Sequence, residues 1–226
     1  MASPDVVTGG VAGEFRQAAG VTGTTRQGAY NEAIVNDSGY GRYFEACRNG
    51  RLFIASTTAA GFSIANATFT APLAATSTTI IGIFNPAGNT KAAVITKAII
   101  GVLPVAGTTT AEPVWVAATP NAGITATAAN VTFASGRLDA AAPTTMKGYA
   151  NVPLTGLVNP IALGPFGASA TGTSAAATTT SLFTDEVAGA LIIPPGGFLG
   201  VMVTTTPVST PNANGCMYFV ECDWPL

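Results

Sequence analysis

Two close pairs of carboxylates, Asp185-Glu186 and Glu221-x-Asp223, are the side chains of this 226-residue chain whose types and spacing fit acid–base chemistry. Paired carboxylates can flank a scissile glycosidic bond, one protonating the leaving oxygen while the other acts as base or nucleophile. Their settings argue for a plainer role. Asp185-Glu186 precedes a strand-like run and Asp223 belongs to the terminal Cys-Asp-Trp-Pro-Leu, so both pairs read as solvated loop residues. The chain contains no histidine, the residue most often used as general acid or base and to activate nucleophiles. No Gly-x-x-x-x-Gly-Lys-Ser/Thr occurs and no Gly-x-Gly-x-x-Gly opens a helix, so the glycines read as turn residues rather than a phosphate cradle. Enzyme is the least favoured class, and no cofactor is expected.

The three cysteines, Cys47, Cys216 and Cys222, are too few for a disulfide framework and too scattered for a zinc site. Cys216 and Cys222 fall on one strand-like run. Six residues at roughly 3.3 Å each separate them by about 20 Å, beyond the reach of a bridge, and their equal parity puts both on one face. Free buried thiols are the first reading, with Cys47 to Cys222 as the remaining pairing.

The elements that carry these residues are strands. Residues 187–203 hold two aliphatic runs around Pro194, Pro195, Gly196 and Gly197, which read as a tight turn joining two core strands, since proline fixes φ and glycine tolerates φ > 0. Strand-like runs follow at 201–206 and 216–220. Earlier in the chain, 52–55, 79–84, 91–103 and 113–118 are rich in Val, Ile and Thr, with a helix competing for 91–103. The turn Asn85-Pro86-Ala87-Gly88-Asn89 between two such runs predicts a hairpin. Residues 120–186 are Ala/Thr/Ser/Gly-rich and carry no charge from 148 to 184. Val131-Thr132-Phe133, Ile161-Ala162-Leu163 and Leu182-Phe183 punctuate them, which predicts irregular loops and short strands lying on a sandwich or on a neighbouring subunit. The fold predicted is an all-β, jelly-roll-like β-sandwich over 52–226, preceded by an extended N-terminal arm over 1–51 with a short helix at 40–48.

Composition sets what such a domain can do. Hydrophobic residues make up 48% of the chain but charged residues only 9%, against a usual share of about 25%. A surface this poor in charge is poorly suited to a free monomer, so partners are expected to cover much of it. The net charge of −2 with nine Lys+Arg cannot make a strong basic stripe, which argues against nucleic acid. The most apolar stretches, 92–107 and 187–203, are broken by Lys97 and Pro104 and by Pro194 to Gly197, so no membrane partner is expected. The start, Met-Ala-Ser-Pro-Asp, has no basic or apolar region of a signal peptide, and assembly in a cytoplasm is the expectation.

Half of the charges sit in residues 1–51. There Gly9, Gly10, Gly13, Gly20, Gly23 and Gly28 are scattered among single apolar residues with no lasting period, the pattern of an arm without a core. Arginines interleaved with aromatics suit contact with another protein, because Arg, Tyr and Phe are enriched at interfaces and can stack. The candidate contact residues are Arg16, Arg26, Tyr30, Arg42, Tyr43, Phe44, Arg48 and Arg51.

The stretch Gly39-Tyr-Gly-Arg-Tyr-Phe-Glu-Ala-Cys-Arg-Asn-Gly-Arg-Leu-Phe-Ile-Ala-Ser56, followed by Phe84-Asn-Pro-Ala-Gly-Asn-Thr-Lys-Ala-Ala-Val-Ile95, resembles head-associated structural proteins of tailed bacteriophages. In that group a glycine-rich N-terminal segment leads through aromatic-Glu-Ala-x-x-x-Gly-x-x-Phe into a β-sandwich, and the likeness covers about residues 1–105. The resemblance implies a virion structural protein: a capsid decoration (cement) protein on the outer shell, a homotrimer whose partner is the major capsid protein. Under this reading the eight arm residues are shell contacts. The alternative is a phage fibre or carbohydrate-binding β-domain, with Trp115, Trp224 and exposed tyrosines as stacking platforms; core packing is the favoured reading of both tryptophans.

Overall fold

The computed structural model describes residues 14–16, 24–27, 33–35, 43–58, 62–63, 79–103, 107–111, 113–118, 123–138, 143–152, 154–166, 170–174, 181–203 and 212–225. The chain divides into two units, residues 1–44 and 45–226. In the first, β1 (Glu14–Arg16), β2 (Thr24–Gln27) and β3 (Ala33–Val35) form an antiparallel meander that pairs Glu14 with Arg26 and Thr25 with Val35. Its described residues are extended, and these short strands pair with one another.

Helix α1 (Phe44–Arg48) leads into the second unit. It has Glu45 in its first turn and Arg48 in its last, the charge order that the helix dipole favours. Gly50, at φ 67°, stops it. The Gly50 amide donates to the Cys47 carbonyl at 2.9 Å and the Arg51 amide to the Ala46 carbonyl at 2.8 Å, a paired Schellman closure that only a left-handed residue allows. The predicted helix exists at 44–48; positions 40–42 lie outside the described residues.

The strands that follow are β4 (Leu52–Thr57), β5 (Phe62–Ser63), β6 (Ile81–Phe84), β7 (Lys91–Leu103), β8 (Gly107–Ala111), β9 (Pro113–Ala118), β10 (Val131–Ser135), β11 (Lys147–Tyr149), β12 (Ile161–Pro165), β13 (Ala170–Ser174), β14 (Ser181–Asp185), β15 (Leu191–Ile193), β16 (Phe198–Val203) and β17 (Asn212–Asp223). They make one sheet in the order β10-β4-β17-β7-β14, with β5 beside β17 and β15 beside β7, and a second in the order β11-β6-β16-β9-β12. The pairs nest. β4 joins β17, β6 joins β16, β7 joins β15 and β14, β8 joins β13 and β9 joins β12, all antiparallel. Ser56 with Cys216 and Ile95 with Leu191 are centred on residues 136 and 143, so the unit is one long antiparallel ribbon rolled upon itself with its bend near β10 and β11. That is the connectivity of a jelly roll, and the predicted all-β sandwich is the fold.

Alternation decides which faces are buried. Ile81, Ile83, Trp115, Leu199 and Val201 of the second sheet meet Phe53, Ala55, Ile95, Ile100, Met217 and Phe219 of the first. The Phe53 and Phe219 rings stack at 5.5 Å and Phe133 meets Phe219 edge-on at 6.0 Å. The other face of the second sheet is buried as well: Phe84, Val114, Val116, Phe198 and Met202 lie under Tyr149, Leu154, Ile124 and Leu157. Ile124, Leu154 and Leu157 thus form a cover on this face, and β6 and β9 are buried at every position. The apolar runs 131–133, 161–163 and 182–183, expected to lie on the sandwich, are instead strands β10, β12 and β14 of its own sheets. Where the cover turns into β11, the sheets close: a Cβ on Gly148 would sit 2.5 Å from Val131 of β10.

β7 is a strand, not a helix, and it bulges at Thr96, where the register against β17 slips between Tyr218 and Phe219. The Thr96 hydroxyl donates to the Tyr218 carbonyl at 3.0 Å. The hairpin expected at 85–89 does not form. β6 and β7 belong to different sheets, so the turn is an arch from one layer to the other. Turn chemistry is the same for both; what differs is a rotation of the strands, which Asn85 holds. Fully buried, its side-chain amide donates to the Lys91 carbonyl at 2.8 Å and the Ile193 carbonyl at 3.0 Å, and its Oδ1 accepts from Asn89 at 2.8 Å. Its backbone joins the second arch, the Asn85 amide donating to Gly197 and Gly196 donating to Asn85 at 2.9 and 2.7 Å. Pro194 to Gly197 closes with a 2.9 Å bond from the Gly197 amide to the Pro194 carbonyl, and Gly196, at φ 82°, fits the third position of a type II turn after Pro195. The expected tight turn joins β15 of the first sheet to β16 of the second.

Replacing Asn85 with leucine keeps the volume but leaves the Lys91 and Ile193 carbonyls without their donor, at about 1–3 kcal/mol for each buried orphan. We expect Asn85→Leu to lower the unfolding free energy by about 2–4 kcal/mol. Urea denaturation against wild type, with unchanged circular dichroism in the folded state, checks this.

Candidate functional site

The chemistry-bearing residues fall on the outer face of the first sheet, set by the two-residue period of β17. Its odd residues, Ala213, Met217 and Phe219, point into the core, while Asn214, Cys216, Tyr218, Val220 and Cys222 look outward. Cross-strand pairing puts Ile99 beside Cys216, Lys97 beside Tyr218 and Gly101 beside Asn214, and Leu182 of β14 lies beyond Gly101. Because Gly101 contributes no side chain between Asn214 and Leu182, a shallow hollow of about 250 Å³ opens there, lined also by Thr57, Ile99, Gly215 and Cys216. Ligand sites for small molecules usually start at about 300 Å³. The lining offers a hydroxyl, an amide, a thiol and apolar carbon, but no carboxylate or cation. It is equipped to bind an apolar or neutral group.

Burial pushes the Cys216 thiol above its ordinary value, against smaller downward pulls from a hydrogen bond with Tyr218 and from Lys97. Burial also raises Tyr218, with Cys216 adding to the rise and Lys97 opposing it. None of the three partly buried cysteines is in a disulfide, so the bridge left open between Cys47 and Cys222 is not made. Cys216 and Cys222 share one face, as their parity predicts, and that face is the outer one. Among the described residues no group of three or more His, Cys, Asp or Glu could hold a metal ion. Among the same residues no helix is long and apolar enough to cross a membrane.

Glu186 and Asp223 are exposed, as expected, but the other member of each acidic pair is not a solvated loop residue. Glu221 is 2% exposed within β17, where Lys91 Nζ approaches its Oε2 at 3.2 Å and the Thr144 hydroxyl donates to its Oε1, while Asp223 is exposed. Asp185 accepts a 2.7 Å hydrogen bond from Trp115 Nε1, and Glu186 pairs with Lys97 at 3.3 Å. Each pair is split between different partners. Sequence reasoning missed these roles because an isolated acid in an apolar run gives no sign of its partner 70 or 130 residues away.

Trp115 is 4% exposed and packs edge-on against Phe166 at 5.0 Å, so it is core and offers no stacking platform. Trp224, favoured as core, is 41% exposed at the end of β17. Of the arm candidates, Arg16 and Arg26 lie on β1 and β2, and Tyr30 and Arg42 lie outside the described residues. Tyr43 is half-buried and Phe44 partly exposed at the start of α1. Arg48 is exposed 3.7 Å from Glu45, and Arg51 is exposed, its carbonyl accepting from the Glu221 amide at 2.9 Å. Comparison of the chain with protein-family models, with curated proteins and with solved structures gives no match.

Two outcomes follow from this geometry. Trp115→Phe keeps the ring in its apolar site but removes the bond to Asp185, and should cost about 2 kcal/mol, the scale for a hydrogen bond to a charged group, as read by thermal unfolding. Alkaline pH should also weaken the fold. Burial raises Cys216, Tyr218 and Tyr149, whose hydroxyl donates to the Ala126 carbonyl at 3.1 Å, so the folded state holds these protons more tightly than the unfolded chain. Their stabilisation is complete below the ordinary values of 9.0 for cysteine and 10.0 for tyrosine and is lost as pH rises through the higher folded-state values. Urea midpoints taken from pH 8 to pH 11 should fall above pH 9, and less steeply in Tyr149→Phe; a flat profile would refute the assignment.

Proposed function

We propose that the protein is a structural protein of a tailed-phage head, a decoration or cement protein that binds and stabilises the outer surface of the shell as a homotrimer. The division of the chain carries this reading. A sandwich whose strands β6 and β9 are buried at every position, and whose outer face carries a shallow uncharged hollow, is suited to binding through surfaces. The arm of residues 1–51 holds five of the six arginines and half the charges of the chain. Such an arm gains most by lying across another protein, where its scattered Val, Phe and Tyr residues find apolar cover and its arginines find carboxylates. The stretches that resemble phage head proteins coincide with α1, β4 and the Asn85 arch, the parts that enter and frame the sandwich.

In this mechanism the arm engages the major capsid protein while the sandwich joins its own copies and clamps the junction between shell subunits. A glycan-binding role keeps Trp224 as its one exposed tryptophan, and a glycan-array signal abolished by Trp224→Ala would favour it. Deleting residues 2–30 should leave a folded, soluble oligomer that no longer coats empty phage heads in a co-sedimentation assay. Unchanged binding by the truncated protein, or its unfolding, overturns this account of the arm.

A further inference from the structure

Among the described residues eight large hydrophobic side chains are exposed, and five of them lie along one flank of the sandwich. Leu182 (70% exposed) and Ile192 (40%) are on β14 and β15, the edge of the first sheet; Ile161 (54%) and Leu163 (44%) are on β12, the edge of the second, and Val158 (48%) precedes it. The two edges face the same way, since Asp185 of β14 holds Trp115 of β9, the neighbour of β12. Among the described residues neither edge has a strand on its far side. β12 is blunted by a bulge between Ala162 and Gly164 and by Pro160 and Pro165, whereas β14 has no proline and no bulge. Proteins normally guard such an edge with charge. Here no charged residue occurs from 148 to 184, Asp185 is bonded to Trp115, and Glu186 and Lys97 neutralise each other.

We propose that this flank is the surface through which copies of the chain associate, each copy's edge meeting a second copy. The inference sharpens the self-association in the proposed function and stands whether or not a shell is the further partner. Charge selects the occupant: a flank whose one unbalanced charge is Asp185, held by Trp115, meets a like flank with little repulsion and offers a charged partner little to pair with. Area agrees. β14 and β15 together span residues 93–102 of β7, about 33 Å at 3.3 Å per residue, beside a second sheet about 10 Å away. A flank of several hundred Å² results, the scale of the roughly 800 Å² that each partner gives to a stable interface.

Sedimentation equilibrium at micromolar concentration tests this on the full chain, with Leu182→Glu and the double variant Ile161→Glu/Leu163→Glu beside wild type. All of these side chains are exposed, so the fold should survive, as circular dichroism would verify. Leu138→Glu, 80% exposed in the turn after β10, is the control. Wild type and Leu138→Glu should sediment as the same multiple of 22.5 kDa, and both flank variants should fall toward the monomer with dissociation constants raised about 100-fold or more. Hydrogen exchange should show amides of 161–165 and 181–185 protected in wild type and released in the flank variants. A wild-type monomer, or flank variants that keep the wild-type mass and protection, overturns the proposal. Loss of shell binding with an intact oligomer would overturn the function proposed above and leave this interface standing.

Discussion

One buried amide governs how the chain passes between its layers. Asn85 sits where β6 leaves the second sheet, and two carbonyls that no strand partner satisfies, those of Lys91 and Ile193, converge on its side-chain nitrogen. Buried carbonyls must find donors, and at a crossing between sheets the ladder that supplies them elsewhere has ended. The amide has donors on one atom and an acceptor on the other, so it can bind two strand ends and still receive Asn89. The Pro-Pro-Gly-Gly arch is tied to the same residue through Asn85's own backbone. Both crossings on this side of the sandwich therefore depend on one side chain, and the pairing of β6 with β16 follows from holding their ends together.

The two sheets bear very different burdens. Within the second sheet β6 and β9 are enclosed by the inter-sheet core and by the cover of Ile124, Leu154 and Leu157, which explains why they read as unbroken apolar runs. The first sheet has one buried face, and β17 shows it by alternation, with Met217 and Phe219 inward and Cys216 and Tyr218 outward. With few charges available, the first sheet's outer face and the flank beside it are furnished with Ile, Leu, Thr, Tyr and Cys. Charge is spent where geometry needs it. Glu221 with Lys91 and Thr144, and Asp185 with Trp115, are charged pins set among the apolar residues.

Much of this was legible in the residues. Apolar runs marked β4, β6, β7, β9 and β17, and Pro194 to Gly197 marked a tight turn, whereas the apolar punctuation of the Ala/Thr tract proved to be strands of the sheets themselves. The arch at Asn85 was not legible, because Asn-Pro-x-Gly specifies a change of direction and leaves open whether the next strand lies beside its predecessor or across from it. Trp224 was misjudged as core, since a tryptophan near the end of a strand pattern carries no mark of where the neighbouring strands stop. The roles of Asp185 and Glu221 were hidden for the same reason. Their partners are brought near by the rolling of the ribbon, which has no local signature.

The nested ribbon also sets the order in which a ribosome can deliver a foldable chain. β17 lies between β4 and β7 in the first sheet, so the strands made first wait for the one made last. Ser56 pairs with Cys216, and each such pairing closes nearly the whole length of the sandwich, which makes folding slow relative to folds built from local contacts. Until β17 emerges, β4 and β7 present bare edges, and a chain cut short before residue 212 has a first sheet with its middle strand missing. Fragments that stop short of β17 thus lack the strand that joins the two halves of the sheet, and only chains translated through it can present a finished sandwich.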